Sequence, residues 1–137
     1  GGPEQEAGRA GARVRSLDTS VAVDQLRGHP AAVDALFPLL DAEGLCASEV
    51  VRFELLAGVR PDEMEGLEAL CGWVEWVPVD ERVAREAGAL ARRYRKAFSG
   101  IDDADYIIAA TAILYEAELL TTNLRHFPML PDLKRPY

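Results

Sequence analysis

Cysteine and histidine are both scarce in this 137-residue chain, with two of each. Cys46 and Cys71 stand far apart and form no CxxC pair, so the sequence indicates neither a zinc site nor thioredoxin-like chemistry. No apolar run approaches the length that spans a bilayer, and no secretory signal pattern is present. We therefore expect reduced thiols and a cytoplasmic protein without a membrane segment.

Positive charge is also in short supply, since 15 lysines and arginines face 23 aspartates and glutamates, for a net charge of −8. This balance argues against nucleic acid as a partner, because phosphate binding needs lysine and arginine. The charge is uneven, however: residues 61–81 carry seven acids and no base, whereas residues 82–96 carry six bases against Glu86. The basic stretch is compatible with a local phosphate-binding surface, although a solvated helix face is the simpler explanation for any single arginine.

The length of the chain fits one domain. Residues 1–13 are rich in glycine, alanine and charge, so we expect a disordered arm or a cloning remnant there and a single domain over residues 14–137. Helical patterns separate four predicted strands, at residues 14–17, 45–48, 73–79 and 118–123. This alternation predicts a three-layer α/β/α domain with a central parallel sheet of four to five strands.

Helix start signals support the same division of the chain. Ser48, Asp80 and Asp102 each precede a helical pattern, and their side chains are of the types that cap helix N-termini. Gly58 is expected to end the helix that begins after Ser48. The caps therefore place one helix after the second strand, one after the third, and one before the fourth.

Four oxygen-bearing side chains are expected at one edge of this sheet. Asp18 ends the first strand, Glu54 lies on an apolar helical stripe, Asp105 is in the first turn of a later helix, and Asn123 follows the fourth strand. Open parallel sheets bind ligands outside the carboxyl ends of their strands. Burying acids together is costly unless a cation neutralises them, and an all-oxygen set selects a hard ion, Mg²⁺ or Mn²⁺.

Each of these side chains also has an ordinary structural explanation. Asp18 and Asp105 fit helix caps, the second as the reciprocal partner in a box-like cap, and Asn123 fits turn chemistry after a strand. Glu54 is harder to explain, because Arg52, two residues away, points elsewhere on the helix and is a poor partner for it. Singly each explanation is credible, but four such side chains at one edge favour a metal site.

Four blocks of the sequence resemble, in order and spacing, the motifs of PIN-domain ribonucleases: LDTSVAVDQLRG, ASEVVRFELLAG, DADYIIAATA and LLTTNLRHFPML. The similarity extends over residues 14–133 and is greatest to the VapC toxins of bacterial type II toxin–antitoxin pairs. It implies a PIN-like fold in which Asp18, Glu54 and Asp105 hold Mg²⁺ or Mn²⁺ and act in catalysis together with Asn123. The fourth block departs from the acidic version of the motif, so the resemblance supports one firmly held ion better than two.

The resemblance further implies an endoribonuclease in which a metal-activated water attacks the RNA phosphodiester and the 3′-oxygen leaves. Transfer RNA or ribosomal RNA is the expected substrate, and inhibition of translation the expected result. RNA or phosphate contacts are expected from the nearby hydroxyl and basic side chains, for which ordinary surface positions are an equal alternative: Ser20, Arg27, Arg52, Arg125 and His126. A cognate VapB-type antitoxin and a homodimer are the partners that the resemblance implies.

Two other functions remain open on the sequence. A phosphatase of the haloacid-dehalogenase type also places an aspartate after its first strand, but it needs a second acid where this chain has Ser20. It also needs a downstream lysine, and the only lysines are Lys96 and Lys134. A non-enzymatic PIN-like interaction module is supported by the acid-free turn at Asn123 and opposed by the three intact acids.

Overall fold

A parallel sheet of four strands forms the centre of the computed structural model, which describes residues 14–40 and 44–137. The predicted arm at residues 1–13 lies outside the described residues. The order across the sheet is β3-β2-β1-β4, and every neighbouring pair is parallel. The strands are β1 (Arg15–Leu17), β2 (Leu45–Ser48), β3 (Glu75–Val77) and β4 (Glu118–Leu120).

In the part of the chain that the structure describes, six helices flank the sheet, which confirms the predicted three-layer α/β/α architecture. They are α1 (Thr19–Leu26), α2 (Pro30–Leu40), α3 (Glu49–Gly58), α4 (Met64–Trp73), α5 (Glu81–Tyr94) and α6 (Asp103–Leu114). Short 3₁₀ turns at Pro61–Glu63 and Leu124–His126 precede α4 and follow β4. Among the described residues, no helix combines the length and apolar character needed to cross a membrane.

The core lies on both faces of the sheet, and its two inner strands contribute to both sides. All four residues of β2 are buried, as expected for a strand of a parallel sheet covered by helices on each face. In α6, Tyr106 and residues 108–112 are buried, so this helix packs with most of its circumference in the interior. Cys46 and Cys71 are free thiols, as predicted.

The strand order places a topological switch point between β1 and β4. The chain adds β2 and β3 successively on one side of β1, and then returns to place β4 on the other side. In open α/β sheets, ligands bind at such a point, outside the carboxyl ends of the strands. Leu17 pairs in register with Leu120, so the next residues, Asp18 and Thr121, leave the sheet side by side.

Candidate functional site

Asp18 is the most deeply placed acid at the switch point, with 4% of its surface exposed. It occupies the N-cap position of α1, yet its carboxylate accepts no hydrogen bond from the backbone N–H groups of the first turn of that helix. Its Oδ2 instead accepts hydrogen bonds from the hydroxyls of Ser20, at 2.9 Å, and Thr121, at 2.6 Å. The helix-cap explanation for this carboxylate is therefore not what the structure shows.

Both hydroxyls are oriented by backbone donors. The Thr122 N–H donates to Ser20 Oγ at 3.2 Å, and the Asn123 N–H donates to Thr121 Oγ1 at 2.9 Å. Because each hydroxyl oxygen already accepts a backbone N–H, its own proton is directed to Asp18. This network ties the turn after β4 to the start of α1 and supplies a buried carboxylate with hydrogen-bond donors.

Glu54 projects from α3 in a half-buried position between the buried residues Val51 and Leu55. Its Oε1 accepts a hydrogen bond from Thr19 Oγ1 at 2.7 Å, which connects α3 to the first turn of α1. Glu54 also lines a cavity of about 230 Å³ together with Arg27. The first turn of α1 therefore contacts both acids: the Ser20 hydroxyl binds Asp18 and the Thr19 hydroxyl binds Glu54.

Asp105 lies in the first turn of α6, with 13% of its side chain exposed. Its Oδ2 accepts the Asp102 N–H at 3.0 Å, so the predicted capping role is present, and it also contacts His126 Nδ1 at 3.2 Å. Burial raises the pKa of Asp105, and the negative charges of Asp18 and Asp102 add to this. The Asp102 N–H and His126 act in the opposite direction. Asp105 and Asp18 are thus close enough to interact electrostatically.

In each of the three acids, one carboxylate oxygen accepts hydrogen bonds from the described part of the protein and the other does not. Within the described residues, protein donors bind only Oδ2 of Asp18, Oε1 of Glu54 and Oδ2 of Asp105, and the second oxygen of each accepts no protein hydrogen bond. No group of three or more acidic, histidine or cysteine side chains is close enough, in the part of the chain described, to enclose an ion by itself. The oxygen-only donor set nevertheless fits Mg²⁺ or Mn²⁺, because water molecules commonly complete the coordination of these ions.

The other predicted site residues are not all close to the acids. Asn123 is exposed, and Arg125 is exposed on the 3₁₀ turn next to His126. Arg52 lies on roughly the opposite face of α3 from Glu54, because two residues correspond to about 200° of helix. It binds Glu49 through two hydrogen bonds of 2.8 and 2.6 Å and stacks 4.3 Å above the ring of Trp76. Arg52 is thus engaged by Glu49 and Trp76, and its predicted RNA contact stays a prediction.

Arg27 and Ser20 take positions beside the acids, and each is already engaged. The Arg27 guanidinium pairs with Glu63 at 3.2 Å on the cavity that Glu54 also lines. Ser20 binds Asp18, so its predicted role as a phosphate contact is accompanied by one in holding the acid.

Thr19 and Thr121 are the site residues that sequence reasoning missed. The sequence assigns neither of them a role, yet the Thr19 hydroxyl binds Glu54 and the Thr121 hydroxyl binds Asp18. The signal for Thr121 was present in the register: if β1 and β4 are neighbours ending together, the residue after β4 must lie beside Asp18.

Comparison with known proteins identifies the family of this chain. Residues 16–131 match the PIN domain family. The chain is 58% identical over 125 residues to Ribonuclease VapC19 of Mycobacterium tuberculosis, covering 90% of this chain and all of that protein. It is 38% identical over 121 residues to Ribonuclease VapC10 of the same organism, covering 88% of this chain and 91% of that one.

Solved structures share the fold. A toxin–antitoxin complex from Klebsiella pneumoniae contains a chain that is 26% identical, with a TM-score of 0.74 and coverage of 90% of this chain and 98% of that one. VapBC2 from Rickettsia felis, solved with a fragment of promoter DNA, superimposes with a TM-score of 0.75 at 23% identity, covering 88% and 95%. The chain therefore belongs to the PIN-domain family and, within it, to the VapC proteins.

Proposed function

We propose that this protein is a Mg²⁺- or Mn²⁺-dependent endoribonuclease that acts as the toxin of a toxin–antitoxin pair. The observation that carries the proposal is the link between three carboxylates at the switch point. The adjacent hydroxyls of Thr19 and Ser20 bind Glu54 and Asp18, and Asp18 interacts electrostatically with Asp105. In each acid one oxygen accepts a protein hydrogen bond and the other accepts none from the described residues. The names of the two similar VapC proteins, both ribonucleases, support the same reaction.

Asp18, Glu54 and Asp105 are the residues that would hold the ion. When bound there, Mg²⁺ or Mn²⁺ supplies positive charge to the scissile phosphate and makes a water molecule more acidic. The protein contributes position: the hydroxyls of Thr19 and Thr121 fix the carboxylates of Glu54 and Asp18 before substrate arrives. Such outer contacts orient ligands and tune their affinity for the ion.

His126 is suited to assist at the leaving group. Its Nδ1 lies 3.2 Å from Asp105 Oδ2, and 42% of its side chain is exposed to solvent. In the imidazolium form of the ring, Nε2 would carry a proton that it could give to the departing 3′-oxygen while Nδ1–H stays directed to Asp105. Arg125, on the same turn, is placed to contact a substrate phosphate. Arg125 and His126 thus lie on the loop that borders the acids. Their positive charge would lower the repulsion between this acidic protein and RNA.

A VapB-type antitoxin is the proposed protein partner, and structured RNA such as transfer or ribosomal RNA the proposed substrate. The fold similarity to chains solved in toxin–antitoxin complexes supports the first proposal. A homodimer in the cytoplasm remains our expectation from the family resemblance.

The test compares two aspartates in the first turn of α6. Asp105→Asn is expected to abolish Mn²⁺-dependent cleavage of total RNA, because the variant loses a charged ligand while its amide oxygen can still accept the Asp102 N–H. Asp103→Asn is the matched control, since Asp103 is exposed and pairs with Arg95 at 2.5 Å. Cleavage is measured by end-sequencing of RNA incubated with each purified protein.

Thermal unfolding without metal separates a lost ligand from a lost fold. Because the pKa of Asp105 is raised in the folded protein, its charged form lowers the free energy of unfolding at neutral pH. This destabilisation is fully present above the raised pKa and is lost as the pH falls below the ordinary pKa of an aspartate. Asp105→Asn should therefore unfold at the same or a higher temperature than the unmodified protein. Wild-type cleavage rates in Asp105→Asn would refute the proposed site.

A further inference from the structure

Residues 132–137 lie beyond the matched region of residues 16–131. Within this segment Arg135 contacts the loop after β4, and Tyr137 contacts α1. The hydroxyl of Tyr137 donates to Asp24 Oδ2 at 2.7 Å, and its ring lies 5.4 Å from the ring of His29. Burial and the adjacent Asp24 carboxylate raise the pKa of Tyr137, so the hydroxyl keeps the proton that this bond needs. These contacts anchor the segment against α1 and the turn that follows it.

Arg135 lies between this anchor and the acids. Its Nη1 donates to the Thr122 carbonyl at 3.3 Å. Thr122 is itself bound through its N–H to Ser20, whose hydroxyl binds Asp18. The guanidinium is therefore connected to the central acid of the site through two intervening residues.

The Arg135 guanidinium remains available to an anion. The residue is exposed, and its hydrogen bonds go to backbone carbonyls. Among the described residues, no aspartate or glutamate side chain lies within ion-pair distance of it, in contrast to Arg27, Arg52 and Arg95, which each pair with an acid. Its Nε contacts the main-chain oxygen of Tyr137 at 3.5 Å and its Nη1 the Thr122 carbonyl, whereas its Nη2 makes no hydrogen bond to the described residues. An arginine held in place through Nε and Nη1 can offer its Nη2 donors to a phosphate.

Two arginines border the loop that follows β4. Residues 121–137 carry Arg125, Lys134 and Arg135, but Lys134 lies beside Glu118 near the start of β4 and away from the acids. Arg125 lies next to His126 on the 3₁₀ turn that follows β4, and Arg135 contacts Thr122, just before that turn. Cations therefore lie at two points along the loop that borders the acids.

We propose that Arg135 is a phosphate-binding residue at the rim of the acid site and that Tyr137 is the residue that positions it. The inference rests on the proposed function in that it takes RNA as the ligand. The inference adds a binding residue, Arg135, outside the matched PIN region. Arg135 would contact an RNA backbone phosphate adjacent to the scissile phosphate. A phosphate contact of this kind contributes affinity without reading sequence.

Equilibrium binding tests the role of Arg135 without requiring cleavage. The probe is a short fluorescent single-stranded RNA of mixed sequence, titrated with the full chain in EDTA at several KCl concentrations. Arg135→Ala is expected to raise the Kd several-fold and to reduce the slope of log affinity against log salt by about 0.7, the value for one lost phosphate contact on a single strand. Arg135→Lys should retain the slope, because it keeps the charge.

The matched control is Arg15→Gln. Arg15 lies at the amino end of β1, at the opposite end of the sheet from the acids, and it pairs with Glu118 at 3.9 Å. This variant also loses one positive charge, so it should leave the Kd and the salt slope as they are in the unmodified protein. Equal effects of Arg15→Gln and Arg135→Ala would show a response to net charge alone and would overturn the inference.

A double-mutant cycle tests the positioning role of Tyr137. Tyr137→Phe removes only the hydroxyl that binds Asp24, so it should weaken RNA binding less than Arg135→Ala does. In the Arg135→Ala background, Tyr137→Phe should have no further effect on the Kd, because there is no longer a guanidinium to position. Additive effects of the two substitutions would contradict this role.

Cleavage by the unmodified protein in Mn²⁺ separates this inference from the proposed function. If the protein cleaves RNA but Arg135→Ala retains the original Kd and salt slope, the inference is wrong and the proposed function stands. If the protein binds RNA without cleaving it, the proposed function fails, and a reduced slope in Arg135→Ala still supports the phosphate contact.

Discussion

At the scale of single residues, the site depends on hydroxyls as much as on acids. Asp18 is buried at the end of β1, where an isolated carboxylate would be costly, and Ser20 and Thr121 both donate to it. The two hydroxyls concentrate on one oxygen and leave the other for a ligand. Asp105 shows the same arrangement with a backbone N–H and His126 as partners.

Thr121→Val should therefore damage the site although it removes neither an acid nor any volume. The substitution deprives Asp18 of one donor and leaves the Asn123 N–H without its acceptor, at a cost of about 1 to 3 kcal/mol in unfolding free energy. We also expect Mn²⁺ affinity to fall by roughly 10- to 100-fold, as for lost outer contacts at other metal sites. Isothermal titration measures the affinity, and urea unfolding measures the stability.

Thr111→Val is the control for Thr121→Val. Thr111 is equally buried, but its hydroxyl donates to the Ile107 carbonyl inside α6 and contacts none of the three acids. It should alter Mn²⁺ affinity little. A similar loss of affinity in both variants would show that the effect comes from general softening of the core rather than from the Asp18 contact.

At the scale of elements, the sequence predicts the positions of strands and helices well and their ends less well. The predicted third strand, residues 73–79, shortens to Glu75–Val77, because Trp73 stays in α4 and Pro78 cannot extend the ladder. The predicted fourth strand, residues 118–123, ends at Leu120, because its partner β1 ends at Leu17. Strand ends are set by partners, which local sequence patterns do not contain.

The site divides in the same way. The acids Asp18, Glu54 and Asp105 follow from local patterns, since each is an acid beside an apolar strand or stripe. The roles of Thr121 and Arg135 do not follow from local patterns. Thr121 binds Asp18, which lies more than a hundred positions earlier in the chain, and Arg135 binds the carbonyl of Thr122 in the loop after β4. Only the register and the path of the final residues make those contacts.

The predicted helix caps can be checked directly on α5. Asp80 Oδ1 accepts the Val83 N–H at 2.9 Å, which confirms the cap expected from the sequence. Asp80→Ala should lower the unfolding free energy by about 1 kcal/mol. RNA cleavage should be unaffected, because α5 contributes no acid to the site. Asp80→Asn, which preserves an accepting oxygen, should retain most of the stability; equal losses in both variants would assign the effect to charge instead of capping.

At the scale of the whole molecule, the proposed metal site would couple the stability of the fold to a cation. Strands β1 and β4 and helices α1, α3 and α6 all supply side chains to the same sheet end, so an ion bound there would cross-link distant parts of the chain. Without an ion, Asp18 and Asp105 repel each other. Binding to the folded state alone stabilises it by mass action.

Mn²⁺ should therefore raise the melting temperature of the protein in a saturable way. At a hundredfold excess over its Kd the stabilisation is about 2.7 kcal/mol, which for a domain of this size corresponds to roughly 5 to 10 °C. Asp18→Asn should abolish the shift and Asp103→Asn should preserve it, because only the first residue faces the other acids. Equal shifts in both variants would place the ion elsewhere. A protein with no Mn²⁺ shift and no RNA cleavage would instead be a PIN-like interaction module whose acids have lost their ligand.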